Sequence, residues 1–580
     1  MNGRNSYLIS RAFRNYLWAS LLTSAAMQLM VTVDAIIVGH FVGSDALAAI
    51  SLAMPLTMVV SALSTLIGVG PAIIASKAIG NREFEKVNMV FTSAIFQALI
   101  IGGCIGAGCW VFSSEIASLI CNNGKLLPYL ASYLQVMPWS FVLTILVSTL
   151  VSLIEADGYP RLAAKVTLVG CLWHVCLEVL CVGYLDMGIK SAAYAMIGNN
   201  LLVIMFFALR MGKQGVSYRW LWPKKNIGNV TVAGLKEGMP MMLNDLMYSL
   251  MLFLLNGLVG AYLGEQGLYY WAICVQLLLI VLFVVDVAEG AVLSIGGMLI
   301  GEKDGKGFSM LVRRLVITIV GLVTAVMVAV CCFTNEVAAL LSHEAVSEQW
   351  ALAVRTFSLM LVPHALSVFL RSFFQVLDLR WMGMLFSFLQ TLFMVAGLWA
   401  FFLWAPEYVW WSFPLSAFLL LAVQVVIICF VWRKHCNRRM FHVGIDDSRQ
   451  VLELSVECDI KPVSDAIEQV SDFLVHCGLN GAQVMTVNIC CEELMLNIVC
   501  HQSHKNHPYM DLYIAAGENK VCVVLKDAGR PFNPVLPTSY TNIEENSATL
   551  GLALVNNVCT TLSHKYMYGQ NVVFAEFLTE

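Results

Sequence analysis

Charge is what this sequence has least of. Only 12% of its 580 residues are Asp, Glu, Lys or Arg, against about 25% in an ordinary water-soluble domain. With 59% hydrophobic residues and a mean hydropathy of +0.76, the chain falls outside the soluble class and is expected to be an integral membrane protein. Its eighteen cysteines show no paired spacing, which excludes a zinc site and a secreted disulfide framework. They read as small, reduced, apolar residues. No GxxxxGK[ST] segment occurs, so nothing points to ATP driving a transport stroke. No small-residue cleavage pattern follows the basic start with Arg4, Arg11 and Arg14, so the first helix is expected to be its own targeting signal.

The charges that are present divide the chain. Residues 1–440 carry 27 basic and 21 acidic side chains, a net +6, whereas residues 441–580 carry 7 and 17, a net −10. An acidic tail of this kind has no basic surface for nucleic acid. A membrane span needs about 20 mostly apolar residues, and twelve such stretches are centred near residues 27, 58, 100, 142, 174, 201, 249, 281, 321, 362, 393 and 421. One set of connections holds Lys77, Arg82, Lys86, Arg161, Arg210, Lys303, Arg314 and Arg433; the other holds mainly Asp45, Glu115, Asp186, Glu265 and Glu407. By the positive-inside rule both termini are cytoplasmic, which suits a plasma or inner membrane.

The spans also repeat. A shift of 221 residues superposes Gly39 on Gly260, Gly43 on Gly264, Gly80 on Gly301 and Asp157 on Asp378. Four matches at one offset imply two six-helix halves, residues 1–220 and 221–435, in the same orientation. Parallel repeats place a substrate cavity at their interface near the bilayer midplane. The expected fold is an all-α polytopic membrane domain of twelve helices, followed by a soluble α/β domain at residues 445–580.

Three segments then carry a resemblance: VDAIIVGHFVGSDALAAISLAMPL in the first two helices, GPAIIASKAIGNREFEKV after them, and LIEADGYPR ending the fourth. Together they resemble the multidrug and toxic compound extrusion (MATE) family over about residues 10–435. The resemblance implies two six-helix lobes and antiport, with inward H+ or Na+ driving small organic, often cationic, molecules outward. A lipid-linked sugar flippase of the wider superfamily is the alternative within transport.

Ionisable groups inside spans mark function by default, because a buried charge in hydrocarbon needs a partner. Asp34 lies in the first span, and His174 and Glu178, four residues apart on one helical face, lie in the fifth. With Asn200 of the sixth they form a candidate H+ or Na+ site. The resemblance supports Asp34, since many members hold an acid there; where members often have Asn and Asp in the fifth helix, this chain has His174 and Glu178. In the second half Asp286 and Glu289 are candidate cavity acids that would attract cations, with Arg371 a candidate partner for Glu289. Asn244, Asp245 and His364 complete that half's polar set.

The tail begins with LELSVE, alternating as a strand does, and continues with helical KPVSDAIEQVSDFLVHCGL and CCEELMLNIVCHQ and strand-like YMDLYIAAG, NKVCVVLKDAG, HKYMYG and NVVFAEFL. Glu493 and Asn497 fall on one helical face, Asp527 and Gly529 end a strand, and Gly551 opens an apolar helix. A base, an amide able to hold Mg²⁺, a strand-end acid for an adenine amine and a glycine at a helix start would make an ATP site. Their order resembles the GHKL (Bergerat-like) ATPase fold, nearest to anti-sigma-factor serine kinases. That resemblance implies Glu493 as general base, Asn497 as Mg²⁺ ligand, Asp527 as adenine contact and Gly529 and Gly551 as close-approach glycines. Pro531 and Thr549 stand where many members have glycine. The resemblance further implies a regulatory or serine/threonine kinase role toward a small anti-sigma-antagonist-like protein. A membrane-anchored signalling kinase with a sensing transporter half is the alternative from another class. His501, His504 and His507 have no companion cluster that would make a metal site.

Overall fold

The computed structural model describes residues 5–121, 124–185, 187–210, 216–221, 227–334, 336, 348–435, 450–501, 509–517, 519–535 and 547–578. They form two compact units: Leu17–Lys303 with Val312–Phe441, and Met1–Tyr16, Asp304–Leu311 and His442–Glu580.

The described residues of the first unit form helices joined by short connections, as an apolar chain in lipid does to satisfy its backbone internally. The spanning helices are α1 (Tyr7–Phe41), α2 (Met54–Gly80), α3 (Phe84–Val111), α4 (Met137–Ala156), α5 (Pro160–Tyr184) and α6 (Lys190–Arg210). One continuous segment, Ile227–Gly301, holds two more. Gly264 breaks it with a φ of 64°, giving α7 (227–263) and α8 (265–301). Then follow α9 (Gly305–Cys332), α10 (Ala351–Val376), α11 (Arg380–Trp404) and α12 (Pro406–Val431). A further stretch, Gly481–Cys500, is long and apolar enough to cross a membrane. Its apolar positions instead enter the core of the tail. The twelve spans are thus those expected from the sequence.

The 221-residue repeat is written into the backbone. Gly43 and Gly264 both have positive φ, 110° and 64°, and so do their downstream equivalents Arg82 and Lys303, 61° and 62°. Gly80 and Gly301 meet each other: a Cβ on Gly80 would lie 2.2 Å from the Met298 carbonyl oxygen, and one on Gly301 would lie 2.1 Å from that of Lys77. Met298 is itself the 221-offset equivalent of Lys77, so the contact is symmetric. The fourth pair has diverged. Asp157 is buried and accepts the Ser217 N–H at 3.0 Å, while Asp378 is exposed and pairs with Lys77 at 2.8 Å.

The tail is an antiparallel five-stranded sheet, order β1-β2-β3-β5-β4, formed by β1 (Gln450–Glu457), β2 (Tyr509–Ala516), β3 (Lys520–Asp527), β4 (Thr561–Met567) and β5 (Gln570–Leu578). Three helices, α13 (Ile460–His476), α14 (Gly481–His501) and α15 (Ser547–Val558), belong to the same domain. Asp459 caps α13 by accepting the Ile460 N–H. Alternation decides which strand residues face the helices. Leu454, Leu512, Leu525 and Val573 form one aligned row of that core, and Val470, Leu494 and Val555 meet it from the helices. The domain has the helix-on-sheet layering expected of a GHKL fold.

Candidate functional site

In the membrane unit, helices α1 and α5 bring Asp34, His174 and Glu178 together across 140 residues of sequence. His174 Nε2 lies 2.9 Å from Asp34 Oδ1 and 3.9 Å from Glu178 Oε2. One ligand atom from each residue lies within 4.8 Å of the others. His174 and Glu178 are fully buried, whereas Asp34 keeps 24% of its side chain exposed. Nδ1 of His174 has no hydrogen-bond partner among the described residues. A small apolar cluster of Ala26, Met30 and Cys171 packs on the same two helices. Two carboxylates at this range repel each other unless a proton, an imidazolium or a bound cation lies among them. Such a cluster can hold one positive charge among its members. The Asn200 amide donates to Thr144 Oγ1 at 2.9 Å.

A second polar region surrounds a cavity of about 350 Å³ whose lining includes Gln28, Asn244, Asp245, Tyr248, Asp286 and Arg371. Asp245 accepts from Thr65 at 2.9 Å. Arg371 donates to Asn244 and pairs with Glu289 at 3.0 Å, and Ser372 donates to the same Glu289 oxygen at 2.6 Å. The two acids are thus placed differently. Asp286 lines the cavity, while Glu289 is locked to Arg371 and Ser372 and is absent from the lining. Gln28 and Thr65 were not singled out from the sequence, where no neighbouring residue links them to this cavity.

In the tail, Glu493 and Asn497 both lie half-buried on α14, one turn apart. Gly551, in the first turns of α15, approaches Glu493 so closely that a Cβ would lie 1.9 Å from its Oε2. Asp527 ends β3 and is buried; its Oδ1 accepts from the Gly529 N–H at 2.7 Å and from Asn571 Nδ2 at 3.0 Å. Asn571 is the register partner of Asp527 on β5 and also holds the following loop through Arg530 O and the Phe532 N–H. His564 Nε2 lies 3.1 Å from Asn571 Oδ1. Burial holds the His564 imidazole below its usual range, opposed by that contact and by the charge of Asp527. Burial, with the Asp527 charge, pushes the nearby Cys458 thiol up to about 12, so it stays protonated and unreactive. Asn571 and His564 were missed from the sequence, where only strand pairing could have linked them to Asp527. The side chains of His501, His504 and His507 lie outside the described residues.

This geometry suits a nucleotide with its divalent cation. Asp527 is held by Gly529 and Asn571, Gly551 leaves the space beside Glu493 clear, and the Asn497 amide stands one turn further along α14. Asp527 and Gly529 would hold the base, and Asn497 the cation.

Comparison with known proteins agrees with both parts. Residues 19–180 match the MatE family model, and residues 456–576 match the histidine kinase-like ATPase domain. A multidrug export protein MepA of Staphylococcus saprophyticus is 23% identical over 313 residues, covering 53% of this chain and 68% of that protein. The MepA of Staphylococcus haemolyticus is 26% identical over 177 residues, covering 30% of this chain. That match spans only 39% of the relative's own length. Among solved structures, a Vibrio cholerae MATE transporter superposes with a TM-score of 0.69 at 18% identity, covering 75% of this chain and 99% of that one. A MOP superfamily transporter of Pyrococcus furiosus superposes with a TM-score of 0.66 at 19% identity, covering 73% and 96%. The class is thus an integral membrane protein with the MATE transporter fold. More particularly, the chain fuses that fold to a histidine kinase-like ATPase domain, whose kind implies nucleotide binding.

Proposed function

We propose that the chain is a MATE-like secondary antiporter that exports small organic, often cationic, compounds and that its tail binds ATP with Mg²⁺. The Asp34–His174–Glu178 cluster carries this reading. Binding of one positive charge there relieves the repulsion between the two carboxylates and so changes which packing of the first lobe is favoured. His174 replaces a neutral oxygen donor with a nitrogen base, which favours H+ over Na+, because hard monovalent cations take oxygen ligands. Asp286 and Asp245 give the cavity its preference for cations, and Arg371, neutralised by Glu289, sets its polar wall. We assign the lobes to residues 1–220 and 221–435 and place both termini in the cytoplasm on the distribution of basic loops.

In the tail, Glu493 is the group placed to accept a proton from a Ser or Thr hydroxyl, and Asn497 and Asp527 orient the nucleotide. ATP, when bound, would supply the phosphoryl group. The partner fitting such a site is a small cytosolic protein, and the role is regulatory.

Vesicle transport tests the antiport. Asp34→Asn is expected to lower gradient-driven export by about tenfold or more, the scale of losing a positioned proton carrier. Export undiminished in that variant would remove the coupling role. For the tail, phosphotransfer to a co-encoded small protein, lost in Glu493→Ala, is the expected result.

A further inference from the structure

An antiparallel sheet with helices on one face commonly leaves the other in water. Here that outer face is covered within its own unit. Ser455, Asp511, Lys526, Val572 and Lys565 form one row across all five strands, on the side opposite the core. Asp511, Lys526 and Val572 in it are buried. The first turns of α1 lie against this sheet. The Asn5 N–H donates to Ser455 Oγ at 2.7 Å, and Ser455 donates on to Asp511 at 2.6 Å. Asn15 donates to the Tyr568 carbonyl at 3.1 Å, and Gln570 donates to the Leu8 carbonyl. The Tyr7 and Tyr16 rings stand 6.0 and 6.5 Å from those of Tyr509 and Tyr568. Leu8, Ile9, Ala12, Phe13 and Tyr16 are all buried.

The start of α9 adds a second contact. Asp304 caps that helix by accepting the Gly307 N–H at 2.7 Å and lies 3.9 Å from the buried Lys526, and Lys306 pairs with Glu453 at 3.2 Å. Buried charges of this kind keep their partners, because an unpaired one is strongly unfavourable.

These contacts alternate with the nucleotide residues along the same two strands. Lys526 points to the outer face and Asp527 to the helix face; Gln570 lies on the outer side and Asn571 on the inner. A displacement of the Asp527–Asn571 pair therefore moves the residues that grip Asp304 and Leu8.

We propose that residues 5–16 and 304–311 form a docking layer through which nucleotide at the Asp527 site repositions the starts of α1 and α9 and so sets the transport rate. This rests on the antiport and ATP readings above. Residues 17–41 of the same helix α1 carry Asp34.

The full-length protein in liposomes tests the coupling, with a fluorescent organic monocation, an imposed pH gradient and a non-hydrolysable ATP analogue with Mg²⁺. The analogue is expected to change the wild-type rate by about fivefold or more, and the Lys306→Glu rate by less than about 1.5-fold, with analogue affinity and basal transport retained. The swap Lys306→Glu with Glu453→Lys is expected to restore the response. In the wild type, the analogue should also change amide exchange at residues 8–16. A wild type that binds the analogue and transports, yet shows neither a rate response nor a change in exchange, overturns the coupling while leaving both readings intact. A full response in Lys306→Glu overturns it as well. A wild type that fails to bind the analogue removes the ATP reading itself, an outcome the binding measurement tells apart.

Discussion

Gly551 and Glu493 show how much one atom decides at the residue scale. A methyl group on Gly551 would meet the far end of the flexible Glu493 side chain, 1.9 Å from Oε2. The carboxylate can rotate away, so Gly551→Ala is expected to cost about 1 kcal/mol of stability, the scale of an off-rotamer side chain. The displaced base is expected to lower phosphotransfer by about a hundredfold, the lower end of what positioned proton transfer contributes. Phosphotransfer and thermal unfolding measured side by side check the contrast. His564 gives a pH signature. Burial lowers its folded-state affinity for protons, so below its ordinary value, about 6.5, the unfolded chain binds more protons than the folded one. Its contribution is fully present above that value and is lost as pH falls toward the depressed folded-state value. The tail's unfolding temperature should fall between pH 7.5 and pH 5.5, and His564→Gln should flatten that dependence.

At the scale of elements, the contact between α2 and α8 depends on two glycines that share one space. Each Cβ would strike the backbone of the opposing helix, at 2.2 and 2.1 Å. Backbone cannot swing aside as Glu493 can. Gly80→Ala or Gly301→Ala is therefore expected to destabilise by about 1–3 kcal/mol, the usual range for overpacking. Because both substitutions part the same pair of helices, the double variant should lose less than the sum of the two. Unfolding in detergent checks both statements. The segment Gly481–Cys500 teaches the converse. Its length and hydropathy are those of a span, yet it packs on a sheet, and the Glu493 and Asn497 it carries belong to a polar site rather than to lipid. Composition alone reports apolar surface, and a sheet covers that surface as well as a bilayer does.

For the whole molecule, the two units divide the chemistry: one holds an acid–imidazole cluster and a polar cavity within helices, the other an acid–amide site at strand ends. Much of this was legible in advance. The twelve spans and the tail's strand and helix order follow from hydrophobic runs and periodicity, which each segment carries by itself. Glu178 and His174 declared themselves through their spacing on one helix. The pairing of Glu289 with Arg371 was a sequence expectation, whereas the contact of Asn200 with Thr144, 56 residues away, was not. No local pattern records which distant hydroxyl a side chain will meet.

The sequence by itself determined the class of solvent for each part, the number of spans, the doubling of the membrane half and the order of Glu493, Asn497, Asp527 and Gly551 along the tail. All of these are properties of short stretches or of one repeated offset. Only the tertiary structure decided that Asp34 pairs with His174, that Asp286 and Glu289 divide between cavity and ion pair, and that the sheet's outer face is closed by residues from the chain's beginning and middle. Asn5 and Ser455 stand 450 residues apart. Alternation along β3 shows that Lys526 and Asp527 face opposite ways, but burial of a lysine opposite the core becomes intelligible only when the element covering it is in place.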